Sequence, residues 1–283
     1  MAAETTIQKL LSVDAFPEPA LIRLKYPVIL MHGFGMVAAI RRNGHMHEHA
    51  MHLRERGILA YAPNVPPYNP VPVRASVWRN RIEHILRETG ASKVNIIAHS
   101  MGGLDARYLI SAEGFHDRVA SLVTISSPHH GSSIASFLLE QPGVLKEWLS
   151  EVANWMGTRV RNDVNADFLN TVTELTPDYV CNEFNARIQN HPDVKYWSFS
   201  ARAGKGTKNR ISPFLRPLNH ILYSREGIND GFVSSESSRW GTYCGMLDAD
   251  HAQQIGIQIP LITNFDSFAL FCRISKLLKE EGL

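Results

Sequence analysis

A chain of 283 residues, 44% hydrophobic and 20% charged, can bury one large core and fits one α/β domain with room for an insertion. A formal charge of +2 gives no sign of a nucleic-acid partner, and no apolar run reaches membrane-spanning length. The opening MAAETTIQKLLSVDAF lacks a basic start and a long apolar stretch, so it does not read as a signal peptide; a cytoplasmic protein and a secreted mature form both stay open.

In chain order, residues 7–24 read as a short helix and an extended lead-in, and Tyr26 to Met31 as a strand closed by His32-Gly33-Phe34-Gly35. Residues 41–56 read as a helix carrying His45, His49 and His52 on one face. The H-E-x-x-H zinc pattern is absent, because His47-Glu48 is followed by Met51, so this is a histidine stripe with no metal assigned. Ile58 to Ala62 reads as a strand. A proline-rich loop follows, unsuited to a central strand, and then an amphipathic helix from Arg79 to Thr89 that Gly90 stops. Cys181, Cys244 and Cys272 form no C-x-x-C pair; free buried thiols are the plainer reading beside one Cys181–Cys244 bridge.

The organising stretch is VNIIAHSMGGLDARYLI, residues 94–110. An apolar strand, a sharp turn bearing Ser100 and a helix after Gly102-Gly103 form the context of a nucleophile elbow. Such a serine stands in a strained backbone, and small residues two before and two after it, here Ala98 and Gly102, allow the close approach. With an elbow in place, the Gly-rich loop after the first strand acquires a meaning. The backbone N–H groups of Phe34 and Met101 are candidate oxyanion donors.

Val119 to Ile125 is a further strand, and the alternation of strand and helix predicts a parallel sheet covered on both faces. Residues 133 to about 190 break that alternation and read as an inserted helical cap. Trp148 and Trp155 lie in it at helical spacing and either bind apolar substrate or pack on the core. Val194 to Ser200 returns as a strand. A serine nucleophile needs a base and a carboxylate to orient it, in the order serine, acid, histidine; Ser100, Asp230 and His251 meet that order. Asp248 is a rival acid, Asp250 is poorly placed beside His251, His99 neighbours the serine with its side chain pointing away, and His129 and His130 come too early.

With YPVILMHGFG, KVNIIAHSMGGLDARYL, SLVTISSPHHGSSIASF, FNAR and INDGFVSSES, the chain resembles the bacterial true lipases of the Pseudomonas and Burkholderia type. The resemblance runs over residues 26 to 260. It implies an α/β-hydrolase fold in one domain over 1–283 and a mobile lid within 133–190. It also implies Ser100, Asp230 and His251 as a triad, with Phe34 and Met101 as oxyanion-hole donors. The activity implied is hydrolysis of lipid esters, with phospholipase A and polyester-cleaving carboxylesterase as alternatives; a cofactor-free lyase or perhydrolase and a silent lipid-binding module are rivals from other classes. The family's calcium aspartate is replaced by Gln253, and KGTKNRISPF offers no carboxylate, so no cofactor is expected.

Overall fold

Every residue of Val28–Met31, Val94–His99 and Val119–Ile125 is buried, as strands are when helices cover both faces of a sheet. The computed structural model describes residues 21–34, 46–141, 143, 166–257 and 265–283. Its strands are β1 (Val28–Met31), β2 (Ala60–Tyr61), β3 (Val94–His99), β4 (Val119–Ile125), β5 (Lys195–Ala201) and β6 (Thr242–Leu247). They form a sheet in the order β2-β1-β3-β4-β5-β6, with every neighbouring pair parallel.

Alternate strand residues feed two cores, following the two-residue period of a strand. Val28 and Leu30 join Ile97, Val123 and Phe199 beneath α1 (His47–Arg54) and α7 (Ser267–Glu280). Ile29 and Met31 join Ile96, Ala98 and Leu122 beneath α2 (Val71–Thr89) and α3 (Gly102–Ser111). Two further helices, α4 (Ser133–Glu140) and α5 (Ala166–Thr173), fall inside the stretch read as a cap. With α6 (Arg216–Glu226) they build a third apolar cluster around Leu138, Val172, Leu218 and Leu222.

Helix α2 starts at Val71, not Arg79. Pro70 precedes it and Pro72 lies in its first turn, where the missing N–H costs nothing. The edge strand β2 has two residues rather than the five expected. The chain runs from β1 outward to β2 and then crosses to β3 on the other side of β1. That reversal opens a crevice at the carboxyl ends of β1 and β3, where open α/β sheets bind ligands.

Candidate active site

Ser100 stands at that crevice, one residue past β3. Its φ is +57°, a left-handed conformation costing about 1–3 kcal/mol for a residue with a Cβ. Neighbours hold it there: Ser100 N–H donates to the Ile125 carbonyl at 3.0 Å, and the Ser100 carbonyl accepts from Gly103 N–H at 3.0 Å. The end of β1 packs directly on this turn. A Cβ on Gly33 would lie 2.6 Å from Ser100 Cβ and 2.7 Å from Met101 N; one on Gly102 would lie 2.8 Å from the Met31 carbonyl oxygen. Both positions therefore exclude any side chain. The tightest limit at Gly102 comes from the neighbouring strand end.

A buried ion pair fixes the same strand end. Arg74 pairs with Asp105 at 2.7 Å and also donates to the carbonyls of His32 and Pro66, each at 2.8 Å. Burial pushes the Asp105 carboxyl up, against the pull of Arg74. Nothing in the local sequence marks this pair, whose members lie 31 residues apart.

Across the crevice, the loop after residue 228 supplies Asp230, which is fully buried. Its Oδ1 accepts from the N–H groups of Phe232 (3.0 Å) and Val233 (2.9 Å), and its Oδ2 accepts from His251 Nδ1 at 2.8 Å. Burial alone would raise this carboxyl, but the His251 ring and the two backbone donors outweigh it and hold it below the usual carboxylate range. An ionised Asp230 places the proton on His251 Nδ1 and leaves Nε2 bare in the neutral ring. Gln254, missed by sequence reasoning, completes the network together with His99. Gln254 Nε2 donates to the same Asp230 Oδ2 at 2.9 Å, and its Oε1 meets His99 Nε2 at 3.2 Å. The His99 and His251 rings lie 4.5 Å apart.

Ser100 and His251 line one cavity of ≈80 Å³, together with Phe34, Leu138, Phe168, Val172, Leu175 and Phe232. Apart from the serine and histidine its walls are largely apolar, and most belong to the third cluster. Among the described residues, the N–H groups of Phe34 and Met101 donate no hydrogen bond.

The remaining candidates go elsewhere. Asp248 pairs with Arg202 (2.7 Å) and Asn209 (2.8 Å) and does not touch His251. Asp250 anchors its loop, accepting from Ser212 N–H (2.7 Å), the Ser212 hydroxyl (2.6 Å) and Gln253 Nε2 (2.8 Å). Both its oxygens are thus saturated by donors, because Oδ1 takes the N–H groups of Ala252 and Gln253. Gln253 thus spends its side-chain amide on Asp250, and among the described residues no three His, Cys, Asp or Glu side chains gather where they could hold a metal ion. His49 donates to or accepts from Ser267 at 2.9 Å and stacks on Phe268, a packing role. His45, Trp148 and Trp155 lie outside the described residues. The three cysteines are free, with Cys181 exposed and the other two half-buried rather than buried.

The parallel sheet, the strand–serine–helix turn and the His–carboxylate pair at its carboxyl edge define an α/β hydrolase. Comparison with known proteins narrows this. The model of a PGAP1-like alpha/beta domain matches residues 78–189. The chain is 30% identical to the triacylglycerol lipase of Pseudomonas fragi over 295 residues, covering 93% of this chain and 99% of that one. It is also 30% identical to triacylglycerol lipase 2 of Saccharomyces cerevisiae, covering 76% of this chain and 63% of that longer protein. Among solved structures, a metagenomic carboxyl esterase superposes with a TM-score of 0.74 at 18% identity, over 95% of this chain and 80% of that one. Staphylococcus hyicus lipase gives 0.67 at 18% identity, over 94% and 99%. The chain belongs to the α/β-hydrolase lipases. It is a carboxylic ester hydrolase.

Proposed function

We propose that the chain hydrolyses acylglycerols or similar lipid esters of medium or long acyl chain, through a Ser100–His251–Asp230 triad and an acyl-enzyme. The observation that carries this reading is that His251, already tied to an ionised Asp230, shares one apolar cavity with Ser100. In the proposed sequence, His251 Nε2 removes the Ser100 proton as Oγ attacks the ester carbonyl. Asp230 stabilises the imidazolium that forms. The N–H groups of Phe34 and Met101 hold the oxyanion; neither is spent on another partner among the described residues. The ring then protonates the leaving alcohol, and water repeats the attack on the acyl-serine. The acyl chain lies against Leu138, Phe168 and Val172, so α4 and α5, inside the proposed 133–190 cap, select it.

Ser100→Ala tests the assignment: nitrophenyl-ester turnover should fall on the order of 10⁶-fold with the melting temperature kept, and a phosphonate should no longer form a covalent adduct. Full residual activity refutes it. An acyl-chain-length profile should peak at medium or long chains and be the same with and without a chelator. A cap that moves also predicts a rise in turnover above substrate saturation, where a plain esterase gives a smooth hyperbola.

A further inference from the structure

The stretch 203–225 carries Lys205, Lys208, Arg210, Arg216, His220 and Arg225 and no acidic residue, in a protein whose net charge is only +2. The fold gathers four of these six side chains. Lys205, Arg210, Arg216 and His220 line a single cleft of ≈510 Å³, with Asn209 and Asn219 among the walls. It lies apart from the apolar cavity, on the other face of α6: that helix turns Leu218 and Leu222 toward the third cluster and Arg216 and His220 toward the cleft.

The cleft is a built feature. Its floor is the fully buried Asn219, whose Oδ1 accepts from Lys205 N–H at 2.8 Å and whose Nδ2 donates to the Ala203 carbonyl (2.9 Å) and Asn229 Oδ1 (2.8 Å). These bonds set the loop that presents Lys205. Neighbouring carboxylates are already committed: Asp248, which reaches Asn209, is bonded to Arg202 at 2.7 Å, and Asp250 accepts from the Ser212 N–H at 2.7 Å and from its hydroxyl at 2.6 Å. Lys205 and Arg216 have no ion pair among the described residues; Lys205 lies over the Tyr223 ring at 5.2 Å. Cations crowded together repel one another, and a multivalent oxyanion relieves several repulsions at once.

From this convergence of Lys205, Arg210, Arg216 and His220 on one cavity, we infer that the 204–220 cleft binds the oxyanion of a phosphate group. The Arg216 guanidinium fork and the Lys205 ammonium supply the charge. Two sources offer that chemistry: a soluble phosphate compound, or the headgroups of an anionic lipid surface on which a lipase works.

Two binding measurements, both made without ester, separate the sources. In the first, pyrophosphate is titrated calorimetrically into the native protein at fixed ionic strength. In the second, the protein is co-sedimented with phosphatidylcholine vesicles with and without phosphatidylglycerol. Binding in at least one arm is expected, weakened at least about tenfold by Lys205→Glu with Arg216→Glu. The milder Lys205→Gln/Arg216→Gln pair serves if the reversal does not fold. Both variants should keep native turnover of soluble nitrophenyl butyrate. Saturable pyrophosphate binding points to a soluble ligand; sedimentation only with phosphatidylglycerol points to a lipid surface. No binding in either arm, or equal binding by the folded variants, overturns the inference. Repeating both arms on Ser100→Ala keeps the result independent of the catalytic reading.

Discussion

Two regions meet at the apolar cavity beside Ser100, and they are built on different physics. The floor is the elbow and the strand end beside it. It is closed by backbone contacts too tight for a Cβ at Gly33 and Gly102, by the Arg74–Asp105 pair and by Asp230, whose carboxylate accepts four hydrogen bonds. The roof is α4, α5 and α6, joined mainly through aliphatic and aromatic side chains. A floor made of directional bonds holds reacting atoms to a fraction of an ångström. A roof held by non-directional apolar packing tolerates changes of shape and volume. In the proposed function the floor carries the chemistry and the roof the choice of acyl chain.

The largest effect is expected where the floor is cut at its charge. Arg74→Met leaves Asp105 buried beside no cation and frees the His32 carbonyl, which should cost about 3–5 kcal/mol in denaturant unfolding. Adding Asp105→Leu should recover part of the loss; a double variant no more stable than the single would show that the pair does not hold the floor. Next comes Gln254→Leu, which removes one of the two side-chain donors to Asp230 Oδ2. Turnover should fall on the order of 10-fold with KM nearly unchanged, because the amide orients the acid and touches no substrate. An effect confined to KM would move Gln254 to the substrate side.

On the roof, Val172→Phe should narrow the cavity and lower kcat/KM for long-chain esters roughly 10-fold against butyrate, leaving butyrate turnover close to native. An equal loss on both chains would blur the division between the two regions. The smallest effect separates them by pH. Glu174, following α5, has its carboxyl pushed up to about 7 by burial, against an N–H bond from Val71 at 2.6 Å. The folded state then holds a proton that the unfolded chain releases near 4.5, so stability falls as pH rises from 4.5 to 7. Glu174→Gln should flatten that slope by about 1 kcal/mol, after allowance for screening at a partly exposed group. Asp230 has the opposite sign: its carboxyl is held low, so its contribution is complete at neutral pH and is lost only as pH falls through that lowered value. Melting curves across pH check both.

Much of this was legible in the chain itself, for a local reason. Val94–His99, Ser100 and Gly102–Ser111 declare a strand, a turn and a helix through their own periodicity and small residues, and the order Ser100, Asp230, His251 needs no coordinates to be noticed. The alternation of elements likewise determined a parallel sheet with two cores. Only the tertiary structure decided which groups hold the site in place. Arg74 finds Asp105, Gln254 reaches back to Asp230 and His99, Asp250 ties to Ser212, and scattered cations gather round Asn219. Those partners are distant along the chain and carry no shared pattern. Periodicity reports which face of an element is buried, whereas a buried hydrogen bond depends on where two such faces meet in space.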